Sequence, residues 1–153
     1  MSGPRTPRRR ARRRAFQILY GFDFEPPVSD RGLLKAVQNA PEDPGLPEEP
    51  GDGYAQELVK GAWNAREELD KLISKHAQNW KIARIAKVEL TILRLGVYEM
   101  LHVEDIPLRV ALNEAVELAK EFGDENSPGF VNGVLDAVAK AVDQGKAGAE
   151  KKL

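Results

Sequence analysis

The sequence predicts an all-α fold, a compact bundle of about six to seven helices. Three observations predict it: apolar residues recur at spacings of three and four, no stretch sustains an alternation of apolar and polar residues, and prolines and glycines mark breaks between the periodic segments. Apolar residues make up 42% of the 153-residue chain and charged residues 31%, which is typical of a globular domain with one core.

The first predicted helix grows out of an arginine-rich opening. Residues 1–14 carry seven arginines and no acid. Because the whole chain has a net charge of −1, the other 139 residues together have a net charge of −8. Arginines four residues apart would line up in rows on the helix faces away from the core. We expect residues 1–7 to form a flexible basic arm and residues 8–145 to form a single helical domain. The arginines are Arg5, Arg8, Arg9, Arg10, Arg12, Arg13 and Arg14.

One apolar stripe on this first helix faces the core. It is formed by Ala11, Ala15, Ile18 and Phe22, at spacings of four, three and four. A second, short helix is predicted around Gly32–Asn39. The segment 41–53 that follows is acidic and has a proline at every third position from 41 to 50, so we interpret it as an exposed loop, with a proline-rich docking segment as the alternative.

Two longer helices are predicted after this loop. The stretch from Tyr54 to about Gln78 has apolar residues on one face, with Asp52 as a cap. The stretch from Ile82 to about His102 is apolar on nearly all sides, and a helix of that kind belongs in the middle of a bundle.

The last two predicted helices are separated by glycine and proline signals. Pro107 suits the first turn of a helix that runs to Phe122, where Gly123 ends it. Ser127 and Pro128 open the final helix. Beyond it, residues 146–153 are expected to form a frayed tail.

The sequence offers little for catalysis or metal binding. The chain has no cysteine, and its two histidines, His76 and His102, lie near the ends of different helices at no spacing suited to one metal ion. It contains no glycine-rich phosphate loop and no apolar run long enough to span a membrane. We therefore expect no enzyme, no cofactor and no metal site, and a cytoplasmic location fits.

The arginine-rich helix is the feature that points to a function. A guanidinium group offers a planar fork of donors that matches a phosphate, and aromatic rings close behind it suit nucleobase stacking. Such rings are present at Phe16, Tyr20, Phe22 and Phe24. Tyr20 lies about 160° around the helix from Phe22, so it is the candidate for a base contact. A solvated basic tail is the alternative, and these residues do not distinguish RNA from DNA.

The second half of the chain contains several motifs that, taken together and in sequence order, are specific to one protein family. They are the run from Ile92 to Glu99 (ILRLGVYE), Ile106-Pro107, the run from Ala111 to Lys120 (ALNEAVELAK), Phe122-Gly123, and the run from Phe130 to Asp136 (FVNGVLD). With the opening RRRAR at 8–12 and QILY at 17–20, they strongly resemble the NusB family of transcription antitermination factors. The resemblance covers about residues 8–27 and 54–142.

This resemblance implies a fold of two packed helical subdomains and a set of partners. Family members bind single-stranded boxA RNA together with NusE, a small-subunit ribosomal protein. They join the RNA polymerase elongation complex with other Nus factors and support transcription of rRNA operons. The RNA-binding residues implied or extended from this resemblance are Arg8, Arg9, Arg10, Arg12, Arg13, Tyr20, Glu89 and Phe130. Asn113, Asn126 and Asn132 are expected to contact either RNA or backbone groups, the last where two helices approach closely beside Gly133.

The sequence departs from the family pattern at two positions, and two other functions stay open. The family usually has an acid at the position of Asn126 and a polar or basic residue at Gly129, a difference for which the extra Arg13 and Arg14 are expected to compensate. One alternative is a stand-alone RNA-targeting module related to the N-terminal domain of rRNA cytosine methyltransferases, and the other is a protein-interaction bundle. The oligomeric state stays open, a homodimer included.

Overall fold

A computed structural model of the chain describes residues 7–39, 53–77, 80–147 and 151–153. Within these ranges the backbone forms seven α-helices and one short 3-10 helix, with no strand, so the all-α prediction is confirmed. The chain divides into two compact units, Met1–Trp63 and Asn64–Leu153. Nearly all of the predicted basic arm and of the predicted acidic loop lies outside the described residues.

The first unit contains helices α1 (Pro7–Phe22), α2 (Asp30–Asn39) and nearly all of α3 (Tyr54–Asn64). The predicted apolar stripe of α1 is buried from Ala11 to Phe22, and the Phe22 ring meets the Trp63 ring edge to face with centroids 5.2 Å apart. The hydroxyl oxygen of Ser29 accepts a hydrogen bond of 3.0 Å from the backbone N–H of Gly32, which satisfies a donor that the first turn of α2 leaves open.

The second unit contains helices α4 (Arg66–His76), α5 (Lys87–His102), α6 (Leu108–Phe122) and α7 (Ser127–Asp143), and the 3-10 helix Ile82–Arg84. Helices α5, α6 and α7 pack on one another, and α4 packs on α5 and α7. Helix α5 is buried on nearly all sides, as predicted. Its charged Arg94 is held by a two-pronged ion pair with Asp70, both N–O distances being 2.7 Å.

The single helix predicted from Tyr54 to about Gln78 is wrong, because α3 ends at Asn64 and α4 begins at Arg66. Between them Ala65 has a ψ of 6°, whereas a regular α-helix needs about −42°. The apolar spacing runs through this break, and no proline or glycine adjoins Ala65, so periodicity alone could not reveal it. A smaller correction concerns the next element, where residues 82–84 form a 3-10 helix and α5 begins only at Lys87.

Two glycines allow close packing in the second unit. A Cβ atom on Gly96 would lie 2.8 Å from a terminal methyl carbon of Leu135, so this glycine lets α7 approach α5. Gly123 ends α6 as predicted, although its φ of −92° is open to any residue. The reason for glycine is space, since a Cβ there would lie 2.4 Å from the Cβ of Ser127 and 2.9 Å from the carbonyl oxygen of Ala119.

The end of the chain, placed by the sequence in a frayed tail, makes specific contacts at residue 151. The Lys151 ammonium donates to the carbonyl oxygens of Glu99, Val103 and Ile106 at 2.9, 2.6 and 2.6 Å. These carbonyls lie in the last turn of α5 and just beyond it, and the Glu99 and Val103 oxygens also accept backbone N–H groups, from Val103 at 3.3 Å and from Ile106 at 3.2 Å. Burial lowers the pKa of the Lys151 ammonium below its ordinary value of 10.5, and the Glu99 carboxylate opposes this shift.

Candidate nucleic-acid interface

Helix α1 carries six arginines and no acid, and the structure gives these arginines different surroundings. Arg8, Arg9, Arg10, Arg13 and Arg14 are partly exposed, whereas Arg12 is only 4% exposed. The prediction that the arginines line up on faces away from the core is therefore wrong for Arg12. The helix turns 100° per residue, so a run of six arginines broken by one alanine cannot keep every side chain away from the buried side.

An aromatic ring lies against two of the arginines. The guanidinium carbon of Arg8 lies 4.4 Å from the centroid of the Tyr54 ring, and that of Arg12 lies 5.9 Å from it. Tyr54 is itself buried, at the first position of α3. A cation over a ring face is attracted by the ring quadrupole and keeps its full charge, so this contact anchors α1 without neutralising it.

Two further arginines show how α1 is held and where it can bind. Arg14 donates a 2.7 Å hydrogen bond to the carbonyl oxygen of Val37, which ties α1 to α2. The Nε atom of Arg10 is buried and has no hydrogen-bond partner within the described part of the chain. Buried donors are seldom left unsatisfied, so we expect this N–H group to bind a water molecule.

The aromatic residues behind the arginines form a short stack. Tyr20 is partly buried between two rings, stacked on Phe16 with centroids 5.9 Å apart and edge to face with Phe24 at 5.2 Å. Phe16 and Phe22 belong to the core, whereas Phe24 is 63% exposed. The ring most open to a base in this stack is therefore that of Phe24, with Tyr20 behind it.

The remaining predicted site residues lie in the second unit. Glu89 is partly buried in the first turn of α5, and Phe130 is partly buried in the first turns of α7. Asn113, Asn126 and Asn132 are all exposed. A Cβ on Gly133 would find no atom within 4 Å, so the interpretation of Asn132 as a link where two helix backbones approach is wrong. The close approaches lie at Gly96 and Gly123 instead.

Trp80 is an exposed aromatic residue that the sequence does not single out as a candidate site residue. Its indole is 52% exposed and meets the Phe130 ring edge to face, with centroids 5.9 Å apart and an interplanar angle of 72°. Fifty residues separate the two rings in the sequence, so no local pattern links them. The one available signal was the basic composition of residues 80–87, which contain Lys81, Arg84 and Lys87 and no acid.

The histidines show no arrangement for catalysis. His76 and His102 are the last residues of α4 and α5, as predicted. The His102 Nε2 atom lies 2.7 Å from a carboxylate oxygen of Glu68, and the His76 Nδ1 atom lies 3.0 Å from the carbonyl oxygen of Leu72. Within the described residues no three histidine or acidic side chains are grouped so as to hold a metal ion.

Known proteins resemble this chain over almost its full length. A family model described as the NusB family matches residues 9–140. The transcription antitermination protein NusB of Nitratidesulfovibrio vulgaris (strain DSM 19637 / Miyazaki F) is 46% identical, with 94% of each chain covered. The NusB protein of Bacillus subtilis (strain 168) is 45% identical, over 90% of this chain and 98% of its own.

A solved structure also resembles this chain. The crystal structure of antitermination factors NusB and NusE in complex with double-stranded RNA contains a chain that superposes with a TM-score of 0.74 at 33% identity, covering 88% of this chain and 97% of its own. Since the family model and the two relatives each cover most of the sequence, this chain belongs to the NusB family.

Proposed function

We propose that this chain is an RNA-binding transcription antitermination factor, which binds boxA-type RNA together with NusE and supports transcription of rRNA operons. It acts in the cytoplasm as part of the RNA polymerase elongation complex with other Nus factors, and it catalyses no reaction. The name shared by its relatives, transcription antitermination protein, supports this role. The complex of a related chain with NusE and RNA supports the choice of partners.

The observation that carries the proposal is the cationic surface of α1. Six arginines within seven consecutive positions, 8–14, face no acid on their own helix. The helix is anchored by apolar burial of Ala15 and Phe22 and by the ring of Tyr54 beneath Arg8. A helix held in this way presents guanidinium groups to phosphates without first having to order them, which favours binding.

The proposed roles of the site residues follow from their surroundings. Arg8, Arg9, Arg10 and Arg13 contact RNA phosphates, while Arg12 acts mainly by anchoring α1, because it is buried beside Tyr54. Tyr20, together with the more exposed Phe24, and Phe130 stack on bases, and Glu89 accepts hydrogen bonds from base edges. Phosphate contacts set affinity for any sequence, whereas base contacts discriminate between sequences. Asn113, Asn126 and Asn132 are exposed and remain candidate RNA contacts.

The test is a titration of a boxA-like single-stranded RNA and of a scrambled RNA of equal length, with and without NusE, at several salt concentrations. We expect tighter binding of the boxA-like RNA, further strengthened by NusE. If about four to six phosphates are neutralised, the slope of log affinity against log salt is about −3 to −4. The same oligonucleotide annealed to its complement gives the strand preference, and we expect the single strand to bind more tightly.

Three outcomes would contradict the proposal. Equal affinity for both RNAs at every salt concentration, with and without NusE, would remove sequence-specific recognition. Loss of RNA binding when NusE is added would favour a protein-interaction bundle. Methyl transfer to RNA by the purified chain would restore the enzyme-module alternative.

A further inference from the structure

An exposed aromatic residue in the second unit stands apart from the core. The Trp80 indole is 52% exposed, although burying a tryptophan removes a large apolar surface from water. It is not loosely placed, because its ring rests edge to face against Phe130 and its backbone N–H donates to the carbonyl oxygen of Ala77 at 3.2 Å. The result is a fixed ring with open surface.

The surroundings of this ring are cationic. The 3-10 helix that follows brings residues three apart onto the same side, and the backbone N–H of Arg84 donates to the carbonyl oxygen of Lys81 at 2.8 Å. Lys81 and Arg84 are both exposed and form no ion pair within the described residues. Ile85, the next residue, is buried and anchors the segment.

The cations beside Trp80 differ from several other cations of the same unit. Elsewhere the cations Lys120, Lys140 and Arg94 each lie within 3.2 Å of a carboxylate oxygen. A contact surface for an ordinary protein partner has fewer lysines at its centre, whereas an aromatic ring flanked by cations is the combination that binds unpaired nucleic acid. RNA is therefore favoured over a protein as the occupant.

We propose that Trp80, Lys81 and Arg84 form a second contact for single-stranded RNA, which we call the Trp80 surface. The indole stacks on one base, supported from below by Phe130, and the two cations contact the neighbouring phosphates. This inference rests on the proposed RNA-binding function and extends it to a part of the chain that lacks the arginine run. Stacking needs a base freed from pairing, so the surface selects single strands over duplexes.

The chain contains two tryptophans, which allows a direct test. Trp63 packs against Phe22 in the first unit, so Trp63→Phe keeps an aromatic ring there and leaves Trp80 as the sole indole. We expect unpaired RNA to quench the fluorescence of this variant in parallel with binding measured by a labelled RNA, and its affinity to match that of the unaltered protein. A duplex of the same sequence should quench it less.

Affinity measurements separate stacking from general apolar contact. Trp80→Leu keeps apolar volume but removes the ring, and we expect affinity for single-stranded RNA to fall about 5- to 50-fold. Trp80→Phe retains a stacking face and should stay within about threefold of the unaltered protein. Joint replacement of Lys81 and Arg84 by alanine should flatten the salt slope by about 1.4.

The outcomes distinguish this inference from the proposed function. If the unaltered protein binds RNA but Trp80→Leu binds equally well, or Trp80 fluorescence does not respond, the Trp80 surface is overturned and the proposed function stands. Weaker binding of Trp80→Leu to NusE with unchanged RNA affinity would assign the surface to a protein and likewise overturn it. Absence of any RNA binding by the unaltered protein, with and without NusE, would overturn both.

Discussion

Arginines of α1 in the first unit and lysines of α6 and α7 in the second are held by different contacts. In the first, Arg8 lies 4.4 Å from the Tyr54 ring centroid and Arg14 donates to the Val37 carbonyl oxygen at 2.7 Å. In the second, Lys120 and Lys140 lie 3.2 and 2.9 Å from carboxylates one turn away on their own helices. A ring face or a carbonyl oxygen supports a cation without cancelling its charge, whereas a carboxylate cancels it.

This difference in contacts indicates which cations can bind the phosphates of a nucleic acid. A cation that already forms an ion pair with a carboxylate must break that pair to bind a phosphate. The free energy of RNA binding that it contributes is therefore small. Contact with a ring face fixes the position of a guanidinium and does not itself remove charge. We therefore expect α1 to supply most of the RNA affinity and the Trp80 surface to add to it, since Lys81 and Arg84 lack such carboxylates within the described residues.

The largest expected effect comes from removing charge from α1. Replacing Arg9, Arg10 and Arg13 together by glutamine should lower affinity for single-stranded RNA about 100- to 1000-fold at low salt. The salt slope should become shallower by about 2, since each phosphate contact on a single strand contributes about 0.7. Titration of the same RNA at several salt concentrations measures both quantities.

A matched variant of the second unit is the control for this prediction. Replacing Lys120, Lys140 and Lys146 by glutamine removes the same charge from exposed positions. We expect affinity to change less than about threefold, because two of these lysines already face carboxylates. Equal losses in the two triple variants would mean that only total charge matters, and the contrast between the units would then fail.

Much of both units could be predicted from sequence, because the features are local. The burial of α1 along Ala11, Ala15 and Phe22, the central position of α5, and the end of α6 at Gly123 all follow from spacing within one helix. The concentration of arginines is likewise visible in fourteen consecutive residues. Family motifs then gave the candidate partners, which spacing alone does not.

The features that escaped prediction depend on distant residues. The guanidinium of the buried Arg12 lies near the ring of Tyr54, forty-two positions later, and the Trp80 ring contacts that of Phe130, fifty positions later. The break at Ala65 separates two helices whose apolar spacing is continuous. In each case tertiary packing decides the outcome, and one sequence read along its length does not contain the neighbour that matters.

The next largest effect is expected from a substitution that lowers the stability of the second unit and leaves α1 unchanged. Gly123→Ala places a methyl carbon 2.4 Å from the Cβ of Ser127, and the Ala119 carbonyl leaves little room to shift. We expect the free energy of unfolding to fall by about 1–3 kcal/mol in a denaturant titration. The salt slope of RNA binding, measured where the variant is folded, should not change, because the substitution removes no charge and Gly123 lies in neither α1 nor the Trp80 surface.

Gly133→Ala is the control for this variant. Gly133 lies inside α7, and a Cβ there meets no atom within 4 Å, so the change should stabilise the protein by about 0.5–1 kcal/mol. If Gly123→Ala is no less stable than the unaltered protein, the close packing described at the α6 end is incorrect.

A smaller effect comes from adding an uncancelled cation to the second unit. Gly129 is exposed beside Phe130, and its Cβ position is open, so a lysine fits there. Gly129→Lys should tighten RNA binding about three- to tenfold and steepen the salt slope by about 0.7. Gln144→Lys, at the opposite end of α7, adds the same charge and should leave affinity nearly unchanged. No difference between the two variants would remove the idea that Arg13 and Arg14 compensate for a missing cation at this position.

The smallest effect concerns Lys151, a cation of the second unit whose ammonium donates to three backbone carbonyl oxygens. Lys151→Met should lower the free energy of unfolding by about 0.3–1 kcal/mol at neutral pH, since it removes a cation from the C-terminal end of α5. Lys152→Met is the control and should have almost no effect, because within the described residues the exposed Lys152 ammonium donates to a single carbonyl oxygen, that of Asp143.

The pH dependence of this difference gives an independent check. Because burial lowers the pKa of Lys151 when folded, the unfolded chain binds this proton more tightly between the lowered value and 10.5. Stability contributed by the residue therefore rises as pH increases through that interval, where the neutral amine can still donate to two carbonyls without the desolvation that opposes the ammonium. Unfolding titrations at neutral pH and near pH 10 should show the gap between the unaltered protein and Lys151→Met widening. A gap that narrows would mean that the three carbonyl oxygens stabilise the charged form more than burial disfavours it.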